Sequence, residues 1–490
     1  METKKPTRKA DTEDRRREGI KSEVEGFNER GRRAAQDPDL HAAVEHFTKR
    51  TVAARDAALN ALPDAPELRE RAYLVKQETM ANLDRYLEQM ADAVEKRGGK
   101  VFFAEDGEDV VRYVGGLARR RQARVIAKSK SMVTEEIELN RRLEEDYADL
   151  GLEIVETDLG EWIAQLAGDH PSHIIAPILH MNRRQVAEIL SETAGETLPP
   201  NVEDLMRFAR KRLREKFLTA DIGISGANFG VAETGTIVTV TNEGNARLVT
   251  SVPPVHVVVM GIEKVIPRFE DLSVFVQLLA RSGTGQKITV YTNFITGPRG
   301  EGELDGAEEM HLILLDNGRS KLLGTEFEEA LYCIRCGACL NVCPVYRQTG
   351  GHAYGSTYSG PIGAVITPLL KGDEEARDLP HASSLCGACS EACPVGIPLH
   401  DLLLKLRNRQ VEEGLADKTQ RAAFKAFENT MKSPALYRIS GKAGRVAQKP
   451  LLRDGSVRTL PGPMSGWTGS RDLPPLAEKS FRELWKEGIR

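Results

Sequence analysis

The seven cysteines of this 490-residue chain restrict its fold more than any other feature, because all of them lie within one short segment. They form two runs, Cys333-x2-Cys336-x2-Cys339-x3-Cys343-Pro344 and Cys386-x2-Cys389-x3-Cys393-Pro394. An odd number of cysteines is a poor disulfide framework, and clustered thiols in a reducing compartment are more often metal ligands. The spacing therefore predicts a metal-binding module in a cytoplasmic protein.

The first run has the spacing of a bacterial ferredoxin motif, in which three thiolates face one iron–sulfur cube and the fourth cysteine ligates the other cluster. Aligned by its proline, the second run supplies only the last three positions, because Ser383 stands where a cysteine is expected. The motif therefore predicts two clusters. We expect cluster 1 to be held by Cys333, Cys336, Cys339 and Cys393, and cluster 2 by Cys343, Cys386 and Cys389.

Cluster 2 has one cysteine fewer than cluster 1. Three thiolates hold either a [3Fe–4S] cluster or a [4Fe–4S] cluster whose fourth iron takes another ligand. We expect two [4Fe–4S] clusters and keep [3Fe–4S] open for the second. The candidates for the fourth ligand are Ser383, Ser384, His381, water and a group from a partner. Zinc is the competing metal, but four-cysteine zinc sites favour separate CxxC pairs, unlike these runs.

Composition excludes several classes of function. The formal charge of −4 and the pI near 6.3 give no electrostatic case for binding nucleic acid or an anionic membrane. The sequence contains no run of 18 apolar residues, so we expect no membrane-spanning helix. The first twenty residues lack the apolar core of a signal peptide. Acidic residues are interleaved with the basic ones near the start, so we expect a solvated arm containing Arg8, Lys9, Arg15, Arg16 and Arg17.

Four regions follow from the pattern of the chain. Residues 1–95 are charged and have helical spacing, 96–322 alternate between β-type and helical runs, 323–412 carry the cysteines between helical stretches, and 413–490 form a C-terminal extension. The β-type runs are rich in Val and Ile, as in strands buried on both faces, and they predict an α/β domain with a largely parallel sheet. They occupy 100–106, 123–129, 152–158, 172–179, 256–262, 287–293 and 311–317.

The segment 234–251 differs from the rest of the α/β region. It reads TGTIVTVTNEGNARLVTS, and its turn residues Asn242 to Asn245 lie between two alternating runs. This pattern predicts a β-hairpin.

Two groups of polar residues outside the cysteines are candidate sites. Strand ends bind ligands in open α/β sheets, which favours a site at the end of the run 123–129, although an ordinary strand exit explains these residues equally well. This group contains Lys128, Lys130, Ser131, Glu135 and Glu136. The second group contains Glu233, Asn242, Glu243, Asn245 and Arg247. Two interpretations compete for it: the backbone requirements of a turn, or a contact with a substrate or another subunit. His256 lies within an apolar run and is predicted to be a hydrogen-bonded core residue.

The chain resembles the iron–sulfur B component of the bacterial L-lactate utilisation system. The resemblance covers most of the sequence, including KSKSMVTEEI, GISGANFGVAETGTIVTVTNEGNARLV, VHVVVMGIEKVIP, ARSGTGQ, HLILLDNGRS, both cysteine runs and LPHASSLCGAC. It implies a central lactate-utilisation (LUD-type) α/β domain, similar to sugar-isomerase and CoA-transferase folds (NagB/RpiA/CoA-transferase-like). The 42 residues between the cysteine runs exceed a minimal ferredoxin hairpin, so the cluster domain resembles the α-helical two-cluster ferredoxin module of succinate dehydrogenase.

The resemblance also implies a function. It implies a complex that oxidises L-lactate to pyruvate, together with a cysteine-rich A-type subunit and a C-type subunit that shares the LUD domain. The sequence has no GxGxxG after a strand and no GxxxxGK[ST], so no nucleotide or flavin fingerprint supports a hydride acceptor. We therefore expect an electron carrier and assign no catalytic residue. The alternatives are a subunit of a glycolate-type oxidase, a subunit of a heterodisulfide-reductase-like complex, and a redox-responsive scaffold.

Overall fold

A computed structural model describes residues 26–415, 418–462, 465–469 and 471–488. The chain separates into two compact units, with the division after Gln410. The expected basic arm at residues 8–17 lies outside the described residues.

Six parallel strands form the central sheet of the first unit. They are β1 (Lys100–Ala104), β2 (Val125–Lys128), β3 (Glu153–Glu156), β4 (Ile222–Ser225), β7 (Val255–Gly261) and β10 (Glu309–Leu315). Their order across the sheet is β1-β10-β7-β4-β2-β3, and every neighbouring pair is parallel. The expectation of an α/β domain with a parallel sheet is confirmed.

Two separate cores cover the two faces of the sheet, since side chains alternate between the faces along each strand. In β10, Leu312 and Leu314 face the core that continues toward the cysteines, whereas Ile313 and Leu315 face the other core. The helices that accompany the sheet are α5 (Gly107–Arg121), α6 (Met132–Glu136), α7 (Leu139–Asp146), α8 (Leu159–Ala167), α9 (Arg183–Ala194) and α10 (Val202–Thr219). The alternation explains why these strands read as nearly continuous apolar runs.

A second sheet has four strands, which are β5 (Phe229–Val231), β6 (Thr236–Thr241), β8 (Val265–Ile266) and β9 (Tyr291–Ile295). Their order across the sheet is β8-β5-β6-β9. The predicted hairpin across residues 234–251 is wrong, since β6 ends at Thr241 and helix α11 (Asn245–Ser251) follows. Ala246, Val249 and Thr250 are buried at helical spacing, so this apolar run packs as a helix.

The expected strand at 172–179 is also absent, and the segment between α8 and α9 is irregular. Its two prolines, Pro171 and Pro177, remove backbone donors that a strand ladder requires. The segment satisfies its backbone locally instead: Ser172 donates its N–H to the Pro177 carbonyl at 2.8 Å, and His173 Nδ1 accepts the N–H of Ile175 at 3.1 Å. Of the strand expected at 287–293, only residues 291–293 belong to a strand, because β9 begins at Tyr291.

Four helices cover residues 27–96, namely α1 (Phe27–Ala34), α2 (Pro38–Asn60), α3 (Ala65–Ala81) and α4 (Leu83–Lys96). Asp37 caps α2 by accepting the backbone N–H groups of Asp39 and Leu40. Helix α2 packs against α12 (Leu272–Thr284) of the α/β domain, and also against α13 (Ala338–Val342) and α14 (Pro344–Thr349) of the cysteine segment. The N-terminal helices therefore contact both the α/β domain and the cysteine segment.

The rest of the cysteine segment is helical, with α15 (Gly360–Lys371), α16 (Ala388–Ala392) and α17 (Leu399–Glu412). The second unit contains α18 (Lys418–Lys432), α19 (Pro434–Ala447), a two-stranded ladder of β11 (Leu452–Arg453) and β12 (Ser456–Val457), α20 (Ser465–Thr468) and α21 (Phe481–Lys486). Among the described helices, none combines the length and the apolar character that a bilayer crossing requires.

A buried ion network joins the α/β domain to the cysteine segment. Arg319, which is fully buried, donates from Nε to Glu263 at 2.7 Å and from Nη2 to Glu136 at 2.7 Å. Tyr358, from the segment between the cysteine runs, donates its hydroxyl to the same Glu136 at 2.6 Å. One guanidinium thus pairs with two carboxylates that have little access to water.

Replacing Arg319 with Met should lower the free energy of unfolding by about 3–5 kcal/mol, because two buried carboxylates lose the guanidinium that hydrogen-bonds to both of them. The matched control is Arg119→Met, which breaks the exposed pair with Asp149 and should cost at most about 1 kcal/mol. Anaerobic urea unfolding followed by tryptophan fluorescence measures both variants. Equal losses in the two variants would contradict the role assigned to this network.

Candidate iron–sulfur centre

The first cysteine run folds as a loop followed by a short helix. Arg335 and Gly337 both have positive φ, of 58° and 77°, which bends the backbone around the thiols of the run. Glycine suits this conformation because it has no Cβ. Helix α13 follows, and Cys343 directly precedes α14, whose first residue is Pro344. Proline is favoured at this position because its missing N–H has no partner in a first turn.

The second run repeats this conformation. Leu385 and Gly387 have φ values of 55° and 83°, and the short helix α16 follows them. Helices α13 and α16 pack against each other. The two runs are thus equivalent loop–helix units, with Cys336 and Cys386 at matching places, as the alignment by proline predicts.

Four of the predicted ligands line one cavity. Cys333, Cys336 and Cys339 reach it from the first run and Cys393 reaches it from the second, with apolar walls that include Ile362 and Val395. Cys336, Cys339 and Cys393 are buried, and Cys333 is half-buried. The structure therefore brings together the residues predicted for cluster 1, although they lie 60 positions apart in the sequence.

The remaining three cysteines form a second group. Cys343 and Cys389 are buried and Cys386 is exposed. Burial, together with the neighbouring thiols of Cys343 and Cys386, raises the pKa of Cys389 to about 11. The mutual influence of these thiols shows that Cys343, from the first run, lies with the two cysteines of the second run.

Ser383 occupies the place in the second run that Cys333 occupies in the first. The backbone N–H of Arg335 donates to the sulfur of Cys333 at 3.4 Å, and the backbone N–H of Leu385 donates to the hydroxyl oxygen of Ser383 at 3.1 Å. Each donor is two residues after its acceptor and has positive φ. Among the non-cysteine candidates for the fourth ligand, Ser383 therefore has the backbone environment of a ligand.

The chemistry of the thiols fits a metal cluster. Burial raises the pKa of Cys393 to about 11, and it raises the pKa of Cys336 and Cys339 as well. Thiols in this environment stay protonated at neutral pH unless a cation is present, and metal binding releases such protons. An iron–sulfur core supplies that positive charge, so this donor set suits it.

Cations surround the cavity of cluster 1. Arg335, within the first run, is buried, and both of its terminal nitrogens lack a hydrogen-bond partner among the described residues. Its guanidinium stacks on the Tyr358 ring at 4.4 Å. Burial lowers the pKa of Lys76 to about 7, and burial together with Arg335 lowers the pKa of Lys264 to about 8; both side chains lie near Cys333. A cluster with four thiolates is an anion, so it would stabilise these buried cations.

Two arginines from the N-terminal helices donate hydrogen bonds to backbone carbonyls of the second cysteine run. Arg69 of α3 donates to the carbonyls of Cys393 and Ser390, both at 2.8 Å. Arg55 of α2 donates to the Ala392 carbonyl at 3.3 Å. The sequence did not predict these contacts, because nothing in the pattern of a charged helix indicates which arginine faces a distant loop.

The polar residues at the end of β2 pair with one another and with neighbouring carboxylates. Lys128 is fully buried, and its Nζ lies 2.6 Å from Glu156 and 2.9 Å from Glu135. Glu135 and Glu136 are the last two residues of the short helix α6, and Glu136 belongs to the Arg319 network. Ser131 is buried, and its hydroxyl has no hydrogen-bond partner in the described part of the chain.

The residues of the second candidate polar group have separate partners. Glu233 accepts the N–H of Phe269, Glu243 accepts the N–H of Leu159, and Asn242 exchanges hydrogen bonds with Gln286. Burial and the nearby Asp158 raise the pKa of Glu243 to about 7. Asn245 lies buried at the start of α11, which also carries Arg247.

His256 is buried, and its Nε2 lies 2.8 Å from the hydroxyl of Ser225. The prediction of a hydrogen-bonded core histidine is confirmed.

Family comparisons agree with this architecture. Residues 87–315 match the LUD domain, residues 329–397 match the 4Fe-4S dicluster domain, and residues 406–489 match the family described as lactate utilisation protein B, C-terminal. A DUF162 family protein from Deinococcus radiodurans is 13% identical, covers 48% of this chain and 98% of its own, and has a TM-score of 0.25. The fold and the cysteine site define an iron–sulfur dicluster protein built on an LUD domain.

Curated relatives match nearly the whole chain. Lactate utilization protein B from Shouchella clausii is 47% identical over 94% of this chain and 96% of its own. The protein of the same name from Bacillus licheniformis is 48% identical over 96% of this chain and 98% of its own, and that from Oceanobacillus iheyensis is 51% identical over 84% and 86%. The chain belongs to the lactate utilization protein B family.

Paired substitutions test which sulfurs share a cluster. The double variant Cys336→Ser/Cys393→Ser disturbs one cavity only, and it should keep about four of about eight iron atoms per chain. The double variant Cys336→Ser/Cys343→Ser removes two cysteines of the same run and should lose nearly all iron, because it disturbs both groups. Iron and acid-labile sulfide counts after anaerobic purification measure this. The reverse pattern would show that each run holds its own cluster.

Proposed function

We propose that this chain is the electron-transferring subunit of a complex that oxidises L-lactate to pyruvate, which allows lactate to serve as a carbon source. The observation that carries the proposal is the convergence of seven thiols into two adjoining groups inside one buried module of a lactate utilization protein B family member. Each cluster, when bound, accepts and passes on one electron. The chain's own residues hold, bury and charge-balance the two sites.

The proposed ligands follow the two groups. Cluster 1 takes Cys333, Cys336, Cys339 and Cys393, and cluster 2 takes Cys343, Cys386 and Cys389. Arg335 and Lys264 offset the negative charge at cluster 1, and cations near a cluster stabilise its reduced form. Arg55 and Arg69 fix the loop that carries Cys393 through its carbonyls. We assign these arginines a positioning role.

The substrate chemistry is assigned to the partners. Oxidation of a 2-hydroxy acid releases two electrons and two protons, whereas each cluster takes a single electron. We propose that a cysteine-rich A-type subunit and an LUD-domain C-type subunit complete the complex and supply the site that separates the electron pair. The LUD domain of this chain is proposed to be related to the sugar-isomerase and CoA-transferase folds. Free thiols of this kind suit a reducing compartment, so we place the complex in the cytoplasm.

Lactate should bleach the clusters when the partners are present. Anaerobic mixing of the reconstituted chain and its co-purifying subunits with L-lactate should lower the charge-transfer absorbance of the clusters, and the chain alone should show no change. Intact clusters without bleaching by lactate would overturn the lactate assignment. Bleaching by glycolate, or turnover of a disulfide, would indicate the other oxidase or reductase classes. Lactate turnover that survives loss of both clusters would indicate a scaffold.

Ser383 is proposed as the fourth ligand of cluster 2, since it stands in the place of Cys333. Ser383→Ala should convert a four-iron cluster into a three-iron one, so that iron falls from about eight to about seven atoms per chain and the oxidised protein gains an EPR signal. Ser383→Cys should keep the full count. The neighbouring, exposed Ser384 provides the control Ser384→Ala, which should change nothing. An unchanged iron count in Ser383→Ala would exclude this ligand.

A further inference from the structure

Three potential metal ligands meet away from the cysteines. Asp169 and His180 come from the irregular segment between α8 and α9, and His352 comes from the segment that follows the first cysteine run. One ligand atom of each residue lies within 4.8 Å of the other two. Asp169 Oδ2 lies 3.0 Å from His180 Nε2, and the centroids of the two imidazole rings are 4.4 Å apart.

The hydrogen bonds around His180 leave Nε2 facing a carboxylate. The hydroxyl of Ser172 lies 3.2 Å from the Pro177 carbonyl and 2.7 Å from His180 Nδ1. When the hydroxyl donates to the carbonyl, which can only accept, its oxygen accepts the proton of Nδ1, and Nε2 then presents a lone pair toward Asp169. In this tautomer His180 can bind a cation together with the Asp169 carboxylate.

His352 is held in the same manner. Its Nε2 lies 2.8 Å from the backbone carbonyl of His170 and must donate to it, which leaves Nδ1 as the unprotonated nitrogen of the neutral ring. In these tautomers each imidazole has one N–H held by a protein oxygen and one unprotonated nitrogen that can bind a metal ion. Histidines that ligate metals are usually held in this way, with the other N–H donated to a protein oxygen.

We propose that Asp169, His180 and His352 form a site for a single divalent metal ion of the Zn²⁺ class, separate from the two iron–sulfur clusters. Two imidazoles and a carboxylate are ligands that zinc accepts. Bonds of about 2.0–2.1 Å to a tetrahedral ion place ligand atoms about 3.3 Å apart, close to the 3.0 Å between Asp169 and His180. A metal ion at this position requires both rings to be neutral, which suits two imidazoles whose centroids are 4.4 Å apart.

The proposed ion would lie at the seam between the α/β domain and the cysteine segment. Ser172, the anchor of His180, also accepts the hydroxyl of Tyr346 through its carbonyl at 2.9 Å. That carbonyl lies so close to Gly351 that a Cβ there would be 1.7 Å from it. Asp169 and His352 are partly exposed, with 38% and 41% of their side chains accessible, so a water molecule can take the fourth position. The metal would fasten an irregular segment to the module that carries the clusters.

Zinc binding to the full chain with its iron and sulfide in place tests this site. Competition between ZnCl2-loaded protein and a chromophoric chelator should show one Zn²⁺ per chain in the wild type. His180→Gln and His352→Gln should weaken binding by at least about 100-fold, and Ser172→Ala should weaken it by about 10-fold through the lost anchor. His170→Gln is the matched control, because this exposed imidazole is adjacent in sequence and should leave the affinity unchanged.

Iron counts keep the test independent of folding and of the proposed function. The proposal requires that zinc is lost while the iron and sulfide counts stay at the wild-type value. Wild-type zinc affinity no higher than that of His180→Gln would overturn it and leave a hydrogen bond between His180 and Asp169 in place of a metal ion. Ser172→Ala decides the matter if a ligand variant fails to fold: unchanged zinc affinity in that variant also overturns the proposal. Neither outcome depends on whether lactate reduces the clusters.

Discussion

The fold depends on one constraint, which is that sulfurs from two distant loops must surround a common centre. The last cysteine of each run lies with the cysteines of the other run. Cys393 shares a cavity with Cys333, Cys336 and Cys339, and Cys343 lies with Cys386 and Cys389. This exchange forces α13 and α16 side by side, because each short helix leads from one group of thiols to the other. Burial raises the pKa of Cys336, Cys339 and Cys393, so these thiols stay protonated without metal, and cluster binding is coupled to the packing of this module.

The surroundings of the module serve the same constraint. The apolar core is continuous from the central sheet to the cysteines, and the Arg319 network joins the two regions through Glu136 and Tyr358. Helices α2 and α3 contribute arginines to the carbonyls of the second run. A charged helical region that reads as peripheral therefore supports the metal centre directly. Electron transfer needs fixed distances, and this packing provides a rigid setting for two clusters.

Short-range patterns predicted most of the site and the central sheet. Cysteine spacing depends on local loop geometry, so the two runs could be aligned and their exchange of ligands expected. Short apolar runs indicated β1, β2, β3, β7 and β10, and those of β7 and β10 are nearly continuous because these inner strands are covered on both faces. The errors arose where local patterns are ambiguous: residues 245–251 fit a helix as well as a strand, and Pro171 and Pro177 divert an apolar run into a loop. Contacts such as Arg69 with Cys393 span 324 positions, and no local pattern encodes them.

Electron paramagnetic resonance of the fully reduced protein tests the central claim most directly, which is that two clusters lie close together in one module. Two paramagnetic clusters in neighbouring groups of thiols should couple, giving a split spectrum that integrates to about two spins per chain. The variant Cys336→Ser/Cys393→Ser should show one unsplit signal of about half that intensity. A single unsplit signal from the wild-type protein, with about four iron atoms per chain, would contradict the account.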